Sequence, residues 1–173
     1  DFMGWITING TKVDNPISQT TIFNTATRYG SSIGVKVNSG GSLLEEADII
    51  PVFDPDFATF ADNQIKGIVS AYANDPEVYG WMSDNELCQN LKSLDHSLML
   101  DPEDSRRHYS YATAWTFMYL KTGKANVSLA DVTDELRLEF LAMTYDKYFE
   151  VITSVLDKYD PNHLYMGCRF VSN

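Results

Sequence analysis

Cysteine is nearly absent from this chain: Cys88 and Cys168 are its only two, far apart and outside any metal-ligand spacing. That excludes a disulfide framework and leaves a single bridge open. The three histidines, His96, His108 and His163, fall in separate segments without the spacing of a zinc site, so no metal is expected. Nor is a cofactor. The glycine-rich tip Ser39-Gly40-Gly41-Ser42 follows a strand-like run, but no helix opens directly after it, as a phosphate-cradling loop requires. No apolar run approaches the roughly 18 residues of a membrane span. The start, Asp1-Phe2-Met3-Gly4-Trp5, has no initiator Met and no signal-peptide pattern. Positive charge is scarce: 13 Lys and Arg face 24 Asp and Glu, a formal net charge of −11. Such a surface repels phosphate backbones, so no nucleic-acid partner is expected, and the lack of a membrane-length apolar run leaves no membrane partner expected either. A neutral polysaccharide or small molecule meets no such penalty.

What the chain has in quantity is apolar and aromatic side chain. Its 173 residues, 44% apolar, suffice for one domain with its own core. The 22 aromatics (9 Phe, 10 Tyr, 3 Trp) suit stacking on sugar faces and a large aromatic core equally well.

Along the chain, Phe2 to Ile8 is a short apolar stretch closed by the turn signal Asn9-Gly10. Ile17, Ile22, Phe23 and Ala26 suit a short helix between Pro16 and Tyr29, stopped by Gly30. Ser32 to Val37 is β-branched and reads as a strand. Asp54-Pro55-Asp56 opens a helix, with Phe57, Phe60, Ala61, Ile65, Ile68 and Val69 at helical spacing. A strand from Val78 to Met82 follows. After Glu86 comes a long irregular excursion whose centre, Ser105 to Lys121, is helical and stops at Gly123. The strongest helix begins at Thr133, with Leu136, Phe140, Met143, Tyr148, Val151, Ile152 and Leu156 recurring at three and four. Asp160-Pro161-Asn162 ends it, and Leu164 to Phe170 reads as a last strand. Strand and helix alternate throughout, which predicts a parallel sheet with right-handed crossovers. Four strands are half of those in a (β/α)8 barrel, and a whole barrel runs to about 250 residues. Periodicity leaves both a small open α/β sheet and the middle of a barrel open.

One segment stands out chemically. The strand at Val78 to Met82 runs straight into Ser83-Asp84-Asn85-Glu86. Carboxylates at the end of a buried strand are paired, solvated or functional, and in barrels of this kind catalytic groups sit at C-terminal strand ends. Asp84 and Asn85 serve equally well as caps for a following helix. Strict alternation puts Gly80, Met82, Asp84 and Glu86 on one face and Trp81 on the other, toward the helices.

Three segments in order, Val52-Phe53-Asp54-Pro55-Asp56-Phe57, Asp75-Pro76-Glu77-Val78-Tyr79-Gly80-Trp81-Met82-Ser83-Asp84-Asn85-Glu86-Leu87 and Lys158-Tyr159-Asp160-Pro161-Asn162-His163-Leu164-Tyr165-Met166-Gly167-Cys168-Arg169-Phe170, resemble the β-agarase family of glycoside hydrolases (glycoside hydrolase family 50), or a close relative acting on a related galactan. The resemblance covers about residue 50 to the C-terminus. It implies a retaining hydrolase of the (β/α)8 TIM-barrel class, of which this chain supplies roughly the second to fifth strands. Residues 1–173 are then a partial catalytic domain, truncated at both ends. Glu86 matches the acid/base after the fourth strand, and Asn85 the neighbour that binds the sugar 2-hydroxyl. The family nucleophile follows the seventh strand and matches no residue here.

Other residues enter around that pair. Asp84 orients a substrate hydroxyl or a nearby arginine, or forms a structural ion pair. Arg169, at the end of the last strand, faces the same rim as Glu86, as a substrate contact or a salt bridge. Trp115, with Tyr109 and Tyr111, lies in the excursion after Glu86, either as a sugar platform or as core. The implied partner is a polysaccharide or oligosaccharide, hydrolysed or only bound, and the implied location is secreted or periplasmic. A half-barrel also leaves sheet edges open to the rest of the barrel or to a second copy. An unrelated flavodoxin-like domain is the remaining alternative.

Overall fold

The computed structural model describes residues 2–7, 14–18, 52–83, 91–100, 102–103 and 108–168. Its first two segments form a hairpin. β1 (Phe2–Thr7) and β2 (Asp14–Ser18) pair antiparallel, with Trp5 opposite Pro16. A helix starting at Pro16 and a first strand in a parallel sheet are thus corrected for these residues. The connection from Thr7 to Asp14 is too short for a parallel crossover, which takes a dozen or more residues. Pro16, which has no N–H, is tolerated because, among the described residues, both strands of this ribbon are edges. The strand read at Ser32 to Val37 lies outside the described residues.

Asp54 starts the next element. Its side chain accepts a hydrogen bond from the Asp56 N–H at 2.9 Å, and Pro55 stands at the first helical position, where a missing N–H costs nothing. The helix α1 (Pro55–Val69) buries Phe57, Ala61, Ile65 and Val69, four residues apart along one face. The chain then turns into β3 (Gly80–Trp81). Among the described residues, four further elements precede the last strand: α2 (Ser93–Leu98), α3 (His108–Thr122), a 3-10 turn at Leu129–Asp131 and α4 (Asp134–Tyr159). Gly123 closes α3 at φ +71°, a left-handed cap that a side chain would strain. Thr133 caps α4, accepting from the Leu136 N–H at 3.4 Å.

The last strand, β4 (Leu164–Tyr165), pairs parallel with β3: Gly80 stands opposite Leu164 and Trp81 opposite Tyr165. Main-chain bonds continue beyond these short strands. The Met166 N–H donates to Trp81 O and the Ser83 N–H to Gly167 O, both at 2.9 Å. A side chain on Gly80 would place its Cβ 2.5 Å from the Leu164 carbonyl oxygen, so the close approach of the two strands requires glycine there.

α4 is long because it serves two cores. Its first half sets Phe140 among Leu94 of α2, Ala114, Phe117 and Met118 of α3, and Val132. Its second half sets Tyr148, Ile152, Val155 and Leu156 against the apolar stripe of α1 and against Trp81. Phe53 packs on both clusters. Arg137 ties α4 to α2, its Nε and Nη2 gripping both oxygens of Asp95 at 2.8 and 2.7 Å. That bidentate grip holds the Asp95 carboxyl below its ordinary range.

Asp160 ends α4, and its side chain is fully buried. Oδ1 accepts from the N–H groups of Asn162 and His163 at 3.1 and 3.2 Å. Oδ2 accepts from Trp81 Nε1 at 2.7 Å and lies 2.6 Å from His163 Nδ1. Burial alone would push this carboxyl up, but the bonds from Trp81, from His163 and from the two backbone N–H groups outweigh it and hold it low.

Two outcomes are expected from this arrangement. Asp160→Asn lowers the unfolding free energy by about 1.5–3 kcal/mol at neutral pH in urea titrations. In the parent this contribution is complete above the ordinary carboxylate value of 3.8. It is lost as pH falls through the lower folded value, because the unfolded chain binds more protons there. Parent and variant therefore converge in acid, and equal stability at pH 7 would contradict the assignment. Gly80→Ala costs about 1–3 kcal/mol by overpacking, read as a lowered urea midpoint with an unchanged slope.

Candidate functional site

The side chains of β3 and the residues around it alternate as a strand requires. Trp81 and Ser83 are buried, while Gly80 and Met82, between and before them, are only half-buried. Trp81 packs in the cluster built by α1 and α4, so the buried side of β3 faces the helices. Met82 stands on the other side.

Ser83 is the last described residue before that triplet, and it is 0% exposed. Four groups from two elements and the chain after β4 meet its hydroxyl. Tyr148 OH, from α4, donates to Ser83 Oγ at 2.8 Å. Tyr165 OH, from β4, lies 2.8 Å away, and Cys168 Sγ lies 3.3 Å away. The Gly167 carbonyl oxygen completes the shell at 3.5 Å. Cys168 Sγ in turn points at Tyr148 OH from 3.7 Å.

The accounting of protons limits what this cluster does. A serine hydroxyl has one proton and two lone pairs. Tyr148 occupies one lone pair, and the remaining proton and lone pair are shared among Tyr165, Cys168 and Gly167. None of these partners is a general base, so Ser83 lacks what a nucleophilic serine needs. It is an anchor. The ring of Tyr148 is itself clamped, with Phe57 at 6.2 Å and Phe149 edge-on at 5.2 Å. Phe149 also meets the ring of Tyr165 at 6.3 Å. The aromatic surplus in the composition is here largely core.

The expected site residues divide into two groups. Glu86, Asn85, Asp84 and Arg169 lie outside the described residues. The ends from which they leave are described, and these are adjacent: the Ser83 N–H bonds to Gly167 O, one residue before Asp84 and two before Arg169. Trp115 is described. It is half-buried on α3 and stacks on Tyr119 of the same helix, centroids 5.5 Å apart and planes within 3°. The buried positions of α3 are Ser110, Ala114, Phe117 and Met118, so Trp115 flanks the core rather than filling it. The structure gathers Ser83 with α4 and β4, and sets Trp115 on α3, which packs on α2 and on the first half of α4. His163 sits at the start of β4 beside Asp160, the opposite end of that strand from Cys168. Among the described residues no group of three or more His, Cys, Asp and Glu comes together as a metal site, and no helix is long and apolar enough to cross a membrane.

Sequence reasoning missed the Ser83 cluster. Tyr148 was legible only as one more residue in an apolar stripe, yet a buried tyrosine hydroxyl always has to find a partner. That requirement told only that Tyr148 has a partner; which residue it is, 65 positions away, came from the fold.

No protein-family model matches this chain, and neither a curated protein nor a solved structure matches it. Any functional reading therefore rests on the residues and their geometry. For the cluster itself, Ser83→Ala takes the 2.8 Å acceptor from a fully buried hydroxyl. It is expected to lower stability by about 1–3 kcal/mol. Tyr148→Phe in the same background then recovers part of the loss, which a double-mutant cycle by thermal or urea unfolding measures.

Proposed function

We propose that this chain is part of a retaining glycoside hydrolase of the (β/α)8-barrel clan, acting on a β-linked galactan such as agarose. Glu86 is its acid/base, and Asn85 its donor to the sugar 2-hydroxyl. The observation that carries the reading is the parallel pairing of β3 with β4, helices packed on one face, with Asp84-Asn85-Glu86 following directly on the C-terminal end of β3. In barrels of alternating strands and helices that end of the strand is the catalytic rim. Arg169 leaves from the neighbouring strand end and serves the same rim, and Asp84 orients a hydroxyl or that arginine. Trp115 is the least supported member of the set, since one face of its indole is already taken by Tyr119.

The chemistry follows from the residue types. Glu86 protonates the departing glycosidic oxygen and later removes a proton from water, which a carboxyl in an enclosed cleft can do near neutral pH. Asn85, a neutral amide, donates to a substrate hydroxyl without drawing the glutamate's pKa down. The reaction needs a second carboxylate about 5–5.5 Å away as nucleophile. In the proposed barrel it stands after the seventh strand, outside these residues, and no cofactor takes part. The substrate class places the protein outside the cytoplasm, in the periplasm or secreted. The alternative reading is a carbohydrate-binding relative that does not cut.

Glu86→Gln in the protein that carries the whole barrel separates them. Reducing-end release from agarose oligosaccharides should fall by about 100- to 10,000-fold, while oligosaccharide binding by calorimetry persists. A variant that hydrolyses as fast as its parent sinks the acid/base assignment. A parent that binds these sugars and releases no reducing ends establishes the binding reading instead.

A further inference from the structure

We infer that the outer face of α3 is an interface through which two copies of this chain pair, antiparallel, about a two-fold axis near Ala114. The contact is independent of the catalytic reading of Glu86.

α3 has an unusual composition for a helix in a chain with 21% charged residues. From Tyr109 to Leu120 it carries no charged side chain. Its buried positions are Ser110, Ala114, Phe117 and Met118, the last three packed in one cluster with Leu94 and Phe140. At about 100° per residue the opposite arc of the helix holds Tyr109, Ala112, Thr116, Tyr119 and Leu120, and all five are exposed. Leu120 is 75% exposed, the most of any large apolar side chain among the described residues. A helix that is uncharged and largely apolar on every side is normally covered on every side. α3 is covered on one.

The pattern of this face specifies its occupant. Tyr109, Ala112, Thr116 and Tyr119 follow at steps of three, four and three, the spacing of a helix-pairing seam. Their sizes run large, small, small, large, an order that reads the same in both directions about Ala114. Two antiparallel copies therefore set Ala112 of one against Thr116 of the other, where small side chains let the helix axes approach closely. Tyr109 then meets Tyr119 of the second copy at both ends. A two-fold interface requires such a self-complementary patch. Charge points the same way, since two chains of net charge −11 repel least across a face without charges. Lys121, next beyond the seam, is already paired with Glu139 of α4.

Other occupants fit less well. Trp115 and Tyr119 stand face to face with their planes within 3°, so the two rings do not lie side by side as a sugar platform. An anionic membrane surface repels a chain of this charge. A face of five residues on one helix lies at the small end of specific interfaces, below about 1,200 Å² in total, so the dimer is weak and concentration-dependent.

Sedimentation velocity of the full chain over a concentration series tests the inference. The weight-average mass should rise from 19.5 kDa toward twice that value, and added salt should favour the dimer by screening the net charge. Ala112→Glu places two unpaired carboxylates beside the axis and should weaken pairing by more than about 100-fold. Thr116→Glu, at the facing position, repeats the test independently. Ala142→Glu adds the same charge at an exposed position of α4, off the seam, and should pair as the parent does. Equimolar Ala112→Glu and Thr116→Lys should pair better than either alone, because their new charges face each other. Circular dichroism restricts the comparison to variants that keep the parental helix content. A mass that stays at 19.5 kDa at every concentration overturns the inference. So does pairing that survives both glutamates, that salt dissolves, or that Ala142→Glu abolishes equally. Failure of the mixed pair overturns the antiparallel register. A monomeric parent whose affinity for agarose oligosaccharides falls in Tyr119→Ala also overturns it, and gives the face to sugar instead.

Discussion

The carboxylate of Asp160 joins a helix, a turn and a distant strand among the described residues. It ends the longest helix, organises the turn that follows, and takes the indole N–H of Trp81 from a strand 79 residues away in sequence. A buried negative charge is costly unless its oxygens are satisfied, and here both are. Because of it, β4 starts where β3 is already fixed, so the parallel pair is set from the helix side. The pair in turn tolerates no side chain at Gly80, where the Leu164 carbonyl comes close. From one carboxylate and one glycine follow the register of the strands and the position of their ends.

At the other end of the same strands the polar groups have a different character. Asp160 is ionised and solves a folding problem, joining a helix to a strand. Ser83, Tyr148, Tyr165 and Cys168 carry no charge, and apolar substitutes of their shape would pack as well. A network of that kind specifies orientation more than it adds stability. It lies at Ser83, the residue before the segment Asp84-Asn85-Glu86. The helix layer and the ends of β3 and β4 are thus connected by hydrogen bonds as well as by packing.

Much of the helical architecture could be read directly from residue order. Asp54-Pro55 marked the start of α1 and Thr133 the start of α4, because caps are local chemistry. The spacing of Phe57, Ala61, Ile65 and Val69, and of Tyr148, Ile152 and Leu156, announced buried faces before any partner was known. α2 escaped, since six residues with buried serines at two positions show no period. Pro16 misled as a helix opener: its pairing opposite Trp5 is a property of the hairpin, and propensity yields to partners in strands. Trp115 shows the same limit. Whether an aromatic ring on a helix is a platform or half of a stack depends on the residue four positions on, and on the rotamers both adopt.

Local sequence therefore settled the caps, the helix faces and the motif Asp84-Asn85-Glu86, because each depends on neighbours within a few residues. It also settled the net charge of −11, which is a sum and needs no fold. The pairing of Gly80 with Leu164, the capture of Trp81 by Asp160, and the meeting of Ser83 with Tyr148 belong to the tertiary structure alone. They join residues 65 to 84 positions apart, and no periodicity reaches that far. Only a chain folded back on itself brings such groups within 3 Å. Only then does a tyrosine in the middle of an apolar helix become a partner of the strand end.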